Sequence, residues 1–446
     1  MEPKEGPMKG TQSSEDISPK LQRIAKQAKE RPELGFTTLA HHIDEQWLRE
    51  AHRLVRKDGA VGVDGQSAGE YEANLEENLR SLLNRAKSGK YRAPPVRRVH
   101  IPKGDGSKTR PLGVPTFEDK ILQRAVVMLL EPIYEQDFVD WSYGFRRGRS
   151  QHQMLDRVWK GVMRMGGGWV IEVDVQSFFD ELDHGHLREF FGRRVRDGVL
   201  VRLLGKWLKA GVLEDGAVRR TESGTPQGGV VSPLLANIYL HYVFDQWFEE
   251  EVKPRLRGQA FAVRWADDIV IVCAQESDAD RVMKVLPKRF ERYGLRLHPA
   301  KTRKVDFRQP PGGDGPGTFD LLGFTHYWGK SRRGRWIVRK RTARDRFARA
   351  ARRLWEWCRR NRHRPVAEQH AKLTQKLRGH DAYYGVTGNA ERLKELRRAA
   401  ARAWQYWLNR RSQRARMTWE RFKRLQQRFP LPAPKVVHSV YRAANP

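Results

Sequence analysis

Cysteine is almost missing from this 446-residue chain: Cys273 and Cys358 are the whole supply. Two thiols build no disulfide framework and cannot furnish the paired cysteines of a Cys-rich zinc module. Long apolar runs are missing as well. No stretch of about 18 residues is continuously apolar, as a membrane span requires, and the opening "MEPKEGPMKGTQSSED" lacks the apolar core of a secretory signal. Acidic residues are scarce, with 53 Asp and Glu against 86 Lys and Arg, a formal charge of +33. These shortages lead us to expect a soluble, cytoplasmic protein with no membrane contact and a surface that needs an anionic partner. Nucleic acid is the first candidate.

A hydrophobic content of 39% supports a substantial core and two or three domains. Residues 1–35 are polar and read as a flexible N-terminal extension, with "SPKLQRIAKQAKERPE" as a surface helix. Residues 36–95 open a helical region: Leu39, Ile43, Trp47, Leu48, Ala51 and Leu54 follow helical spacing. From 96 to 325, short β-rich runs alternate with helical patterns, which predicts an α/β region. A Gly/Pro cluster, "RQPPGGDGPGTFD", reads as an exposed loop near its end. Helical periodicity then dominates 326–410, and a basic tail fills 411–446. Residues 331–446 hold 33 Lys and Arg against 7 Asp and Glu, so +26 of the +33 lies in the last quarter.

The stretch "FAVRWADDIVIV" sets Asp267 and Asp268 between two alternating apolar runs, which predicts a hairpin with both carboxylates at its tip. Aspartate in a tight turn is also a routine structural choice. A second strand, "GWVIEVDVQSFFDELDH", places Trp169, Ile171, Val173 and Val175 on one face and Asp174 on the other with Val170 and Glu172. Three carboxylates brought together would suit a pair of divalent ions engaged in phosphoryl transfer. Asp180 and Asp183 read as turn and helix-capping residues ahead of "HGHLREFF". Ser232 and Pro233 read as the N-cap and first residue of a helix that buries Leu235, Ile238, Tyr239 and Tyr242.

"RPLGVPTFEDKILQRAV", "YGFRRGRS", "VIEVDVQSFFDELDH", "GTPQGGVVSPLLANIYL", "FAVRWADDIVIV", "LRLHPAKT" and "LLGF" occur in that order, and "KLRGHDAYYGVTGN" follows. The series resembles bacterial group II intron-encoded reverse transcriptases with their maturase region, over roughly residues 36–446. The resemblance implies an α/β right-hand polymerase, fingers and palm, followed by an all-α thumb or maturase (X) domain and a DNA-binding-like tail. It implies RNA-directed DNA synthesis with Mg²⁺, two ions per site, or Mn²⁺ as substitute. Asp174, Asp267 and Asp268 match the metal-binding aspartates, with the Val175 carbonyl as a further ligand. Lys103 and Arg110 match residues that grip the incoming triphosphate. Phe179 matches the ring that leaves no room for a 2′-hydroxyl; a core Phe is its plainer reading. Gln227 matches a residue that seats the nucleotide, Gly228 and Gly229 the close approach to the nascent pair, and Lys301 a lysine near the departing pyrophosphate.

Two departures stand out. Trp265 occupies the place where the family usually has Tyr, which keeps an apolar face beneath the primer end but loses a hydroxyl. The two cysteines leave no means to build the zinc-containing endonuclease module of many relatives. The implied partners are the chain's own intron RNA, an RNA template with its DNA primer, a DNA target and dNTPs, with the protein a monomer or homodimer. Rival readings are an RNA-binding splicing factor with a vestigial site, and a domesticated reverse transcriptase in phage defence or DNA repair.

Overall fold

The computed structural model describes residues 17–103, 108–214, 217–219, 224, 228–310, 317–331, 333–414 and 416–439. Four helices come first: α1 (Ile17–Glu30), α2 (Glu45–Leu54), α3 (Ala68–Glu72) and α4 (Leu75–Lys87). The described part of α1 is no loose extension. It packs on a later helix, α5 (Phe117–Asp137), burying Ile24 and Ala28. The buried Arg194 guanidinium closes its end, donating to the carbonyls of Ala28 at 2.9 Å, Arg31 at 3.0 Å and Leu34 at 3.1 Å. Few apolar positions in a basic helix hid this docking, because the anchor lies far away in sequence. The helical spacing from Leu39 breaks at Asp44, whose carboxylate accepts from the Trp47 N–H at 2.7 Å and starts α2 afresh.

Two of the next elements form a hairpin, β1 (Val96–Lys103) and β2 (Lys108–Val114), which α5 follows with buried residues along most of its length. Next come α6 (Gln151–Met165), β3 (Trp169–Gln176), α7 (Phe178–Glu181), α8 (His184–Arg194), α9 (Gly198–Lys209), β4 (Val212–Glu214), β5 (Ala217–Arg219) and α10 (Ser232–Leu240). Ser232 is the first residue of α10 and Val231 sits at its cap, one position earlier than the Ser-Pro pair suggested; no side chain caps this end. Leu235, Ile238, Tyr239 and Tyr242 are buried as expected, but so are Leu234, Ala236, Asn237 and Leu240, so the helix is enclosed on all sides.

The central sheet combines β6 (Ala260–Trp265), β7 (Asp268–Cys273), β3, β8 (Arg296–Leu297) and β9 (Arg303–Asp306), with α11 (Glu276–Arg292) between β7 and β8 in sequence. β7 pairs along one side of β3, while β8 and β9 share the other. A strand paired on both sides is rigid, and it carries Asp174. A second sheet has the order β2-β1-β4-β5.

β10 (Phe319–Leu321), β11 (Phe324–Lys330) and β12 (Trp336–Thr342) make a third sheet. The boundary expected at 326 therefore falls inside β11, and the helices begin only with α12 (Arg344–Arg360), α13 (Val366–Tyr384), α14 (Ala390–Leu408) and α15 (Trp419–Arg428). The basic composition starts earlier than the change of structure because β12 is itself basic. The helices have their own core around Leu354, Cys358, Leu373, Leu377, Leu396, Trp404 and Phe422. The described tail belongs to it: Phe422 and Leu431 are buried there, so 411–439 is not a free basic arm. "GHDAYYG" forms the seam, with the Tyr383 hydroxyl donating to the Leu322 carbonyl at 2.8 Å and the Tyr384 ring 5.2 Å from Phe324. Among the described residues no helix is long and apolar enough to cross a membrane.

Candidate active site

The hairpin expected around "ADD" is present. β6 and β7 pair antiparallel from Ala260↔Cys273 to Trp265↔Asp268, leaving Ala266 and Asp267 as the connection. Ala266 adopts φ +53°, unusual for a residue with a Cβ. Its conformation is held from behind. Arg264, fully buried, donates through Nη1 to the Ala266 carbonyl at 3.1 Å and to Asn237 Oδ1 at 2.9 Å, and through Nε to Asp245 Oδ1 at 2.7 Å. Asn237 in turn donates to the Gly144 carbonyl at 2.8 Å. Gly144 lies so close that a Cβ there would sit 2.3 Å from the Ala266 nitrogen. The sequence reading passed over Arg264. Its signal was available: an arginine inside an apolar strand, three residues before the first aspartate, needs a buried anion.

Across the sheet, Asp174 is the register partner of Asp268. Asp174 is half-buried, and Lys301 Nζ lies 3.1 Å from each of its carboxylate oxygens. The backbone is fixed too, with the His298 N–H donating to the Asp174 carbonyl at 2.8 Å. Asp268 is exposed at the start of β7. The protein mass around the carboxyl nevertheless restricts its hydration, and that effect, followed by the charges of Asp267 and Asp174, pushes its pKa up to about 7, against the pull of Arg346 and Lys301. Upward is the direction the geometry demands, since two like charges adjoin it. Among the described residues no three His, Cys, Asp or Glu side chains converge into a ready metal cage; Asp174 is engaged by an ammonium instead.

The other expected residues are placed as follows. Val175 is buried on β3 and pairs with Leu297. Trp265 is partly buried against the main core. Phe179 is half-buried in α7, its ring 5.2 Å from the buried Phe178. Asp183 caps α8 by accepting from the His186 N–H at 2.7 Å, as its position suggested, while Asp180 lies within α7. Arg110 is exposed on β2, opposite Ile101. The Lys103 side chain and Gln227 lie outside the described residues. The backbone flanking Gln227 is pinned at both ends. A Cβ on Gly224 would meet the Phe179 carbonyl at 3.0 Å, and one on Gly228, at φ +118°, would meet the Gly113 carbonyl at 2.4 Å. This loop thus joins the element bearing Phe179 to the strand bearing Arg110. Gly229 is buried.

Two like-charged strand ends, a third carboxylate in the turn and a lysine across from them form an acidic centre in a strongly basic protein. The sequence profile described as "Reverse transcriptase (RNA-dependent DNA polymerase)" matches residues 101–326, just over half of the chain. All four charged residues fall inside that match. Protein YkfC of Escherichia coli is 41% identical over 256 residues, which cover 56% of this chain and 66% of that protein. Group II intron-encoded protein LtrA of Lactococcus lactis subsp. cremoris is 38% identical over 252 residues, 53% of this chain and 41% of LtrA. The mitochondrial protein named Nuclear intron maturase 2 of Arabidopsis thaliana is 28% identical over 231 residues, 43% of this chain and 30% of its own length. The matches thus span less than two thirds of each relative's length. With the acidic centre inside the matched segment and group II intron-encoded proteins among its relatives, the chain belongs to the reverse transcriptase family.

Proposed function

We propose that this protein is an RNA-directed DNA polymerase that also binds a group II intron RNA as a maturase. The observation that carries the polymerase reading is the register pairing of Asp174 with Asp268, beside Asp267 in the turn. The names of LtrA and Nuclear intron maturase 2 support the maturase half. In this reading the chain is laid out as a right hand, with the β1–β2 hairpin and the helices before it as fingers, the β6-β7-β3 sheet as palm, and α12 to α14 as thumb.

The donor set fits a divalent cation in kind: it is all oxygen, and the mutual repulsion that raises Asp268 is what a cation would relieve. Asp174, Asp267, Asp268 and the Val175 carbonyl would hold Mg²⁺, or Mn²⁺ in its place, which when bound supplies Lewis-acid stabilisation to phosphoryl oxygens. The protein's own groups do the rest. Arg110 binds triphosphate oxygens as a planar fork of donors. Phe179 closes the space beneath the sugar and selects deoxynucleotides. Gly228 and Gly229 let backbone approach the new base pair. Lys301, already 3.1 Å from a carboxylate, is placed to exchange that partner for the oxygens of departing pyrophosphate.

Primer extension on an RNA template with dNTPs, run beside Asp267→Ala and with rNTPs in parallel, tests the reading. DNA synthesis that disappears in the variant supports it. No synthesis, together with tight salt-sensitive RNA binding that the variant retains, leaves only the splicing-factor role.

A further inference from the structure

We propose that the outer face of α12 and α14 is a binding site for an unpaired polynucleotide strand, separate from the cleft that holds the aspartates. Trp355 is 39% exposed. Its ring lies 4.8 Å from Tyr406 and 5.5 Å from Trp407, so two adjacent helices present one continuous aromatic platform. Arginines surround it. Arg410 lies 4.3 Å over the Tyr406 ring, while Arg359 and Arg362 lie 5.8 and 6.0 Å over Trp407. Arg352 and Arg402, both exposed, stand one turn before Trp355 and Tyr406 on the same helix faces.

Core packing does not account for the platform, because α12 already buries Leu354 and Cys358 on its inner side. A large ring left in water among guanidinium groups suits a partner that brings flat π-faces and phosphates together. Duplexes hide base faces in their own stack, whereas an unpaired strand offers them. The excess of 33 basic over 7 acidic residues from 331 to 446 gives the anionic complement.

Helix geometry separates this face from the cleft. Arg346, in the first turn of α12, packs 3.5 Å from where a Cβ on Gly323 would sit and acts on the charge of Asp268. Trp355 follows two and a half turns later, at about 3.6 residues per turn, and so faces the opposite way. The inference does not depend on the polymerase reading, since a chain unable to extend a primer would still carry the platform.

The test uses the full chain and fluorescence anisotropy with labelled oligouridine, oligothymidine and a duplex RNA hairpin. Trp355→Ala should weaken both single strands about fivefold or more, as expected for one lost base stack, and Trp355→Phe should restore most of the loss. Arg359→Ala combined with Arg410→Ala should instead flatten the salt dependence. Saturating primer–template duplex should leave oligouridine bound. Wild-type affinity in Trp355→Ala, equal loss for the hairpin, or displacement of oligouridine by primer–template would each overturn the proposal.

Discussion

Asp174 and Asp268 face each other in register across the β3–β7 ladder, so the hydrogen bonds that fix the sheet also hold two like charges on neighbouring strands, with backbones about 5 Å apart. Only Asp174 has a close cation, Lys301. The repulsion therefore falls on Asp268, and replacing it with Asn should have opposite effects on stability and activity. In a chelating buffer at pH 8, Asp268→Asn should raise the thermal midpoint, because the raised pKa marks an ionised state that the fold opposes. Primer extension should fall by roughly two orders of magnitude or more. A variant that extends primers as well as wild type would sink the assignment of Asp268.

Arg264 and Asp245 are both sealed from solvent, so neither charge can be left alone. Arg264→Met should cost about 3–5 kcal/mol in denaturant unfolding, most of it from the stranded carboxylate. Adding Asp245→Leu should recover much of that stability. Extension should stay low in the double variant, since the Arg264 bond to the Ala266 carbonyl that shapes the turn is still missing. Recovery of activity along with stability would show that Arg264 serves packing alone.

Asp119 carries a separate pH signature. It is buried in α5 and accepts from the Tyr91 hydroxyl at 2.6 Å, Trp207 Nε1 at 2.7 Å and Gln123 Nε2 at 2.9 Å. Burial outweighs these bonds and pushes its pKa up to about 6. Because the folded value is raised, the unfolded chain loses its proton first. Stability should then fall as pH rises from about 4 to about 6 and level off above, by about 3 kcal/mol at most for a two-unit shift. Asp119→Asn should flatten that slope in pH-dependent denaturation. An unchanged slope would place the titration elsewhere.

The carboxylate centre was legible because strands alternate and turns favour Asp, so "VIEVDV" and "RWADDI" each announced local geometry. Their meeting across 93 positions came from the resemblance, as no local rule pairs β3 with β7. What stayed hidden was long-range polar anchoring. Arg194 docks α1 by reaching back to its C-terminal carbonyls, and Arg264 needs Asp245 and Asn237 from another element. Charged residues read as solvated unless their partner is known. The tail misled for the same reason: composition showed its arginines, while a single buried Phe422 beneath Trp404 decides its place.

That attachment has a second fastener. Gly385 accepts from the Val437 N–H at 2.7 Å and the His438 N–H at 2.8 Å, and Lys435 N–H donates to Asp381 at 3.0 Å. A Cβ at 385 would stand 2.3 Å from the Asp381 carbonyl and 2.5 Å from that of Lys435, with backbone on both sides and nothing soft to yield. Gly385→Ala should therefore cost about 1–3 kcal/mol by overpacking and free the segment beyond 430. Phe422→Ala should cost about 3–5 kcal/mol by leaving a cavity under Trp404. Limited proteolysis distinguishes the two, since the glycine variant should be clipped near residues 432–438 while α15 stays protected, and the phenylalanine variant should lose α15 as well. Wild-type protection in both would mean that the tail is held by contacts other than these.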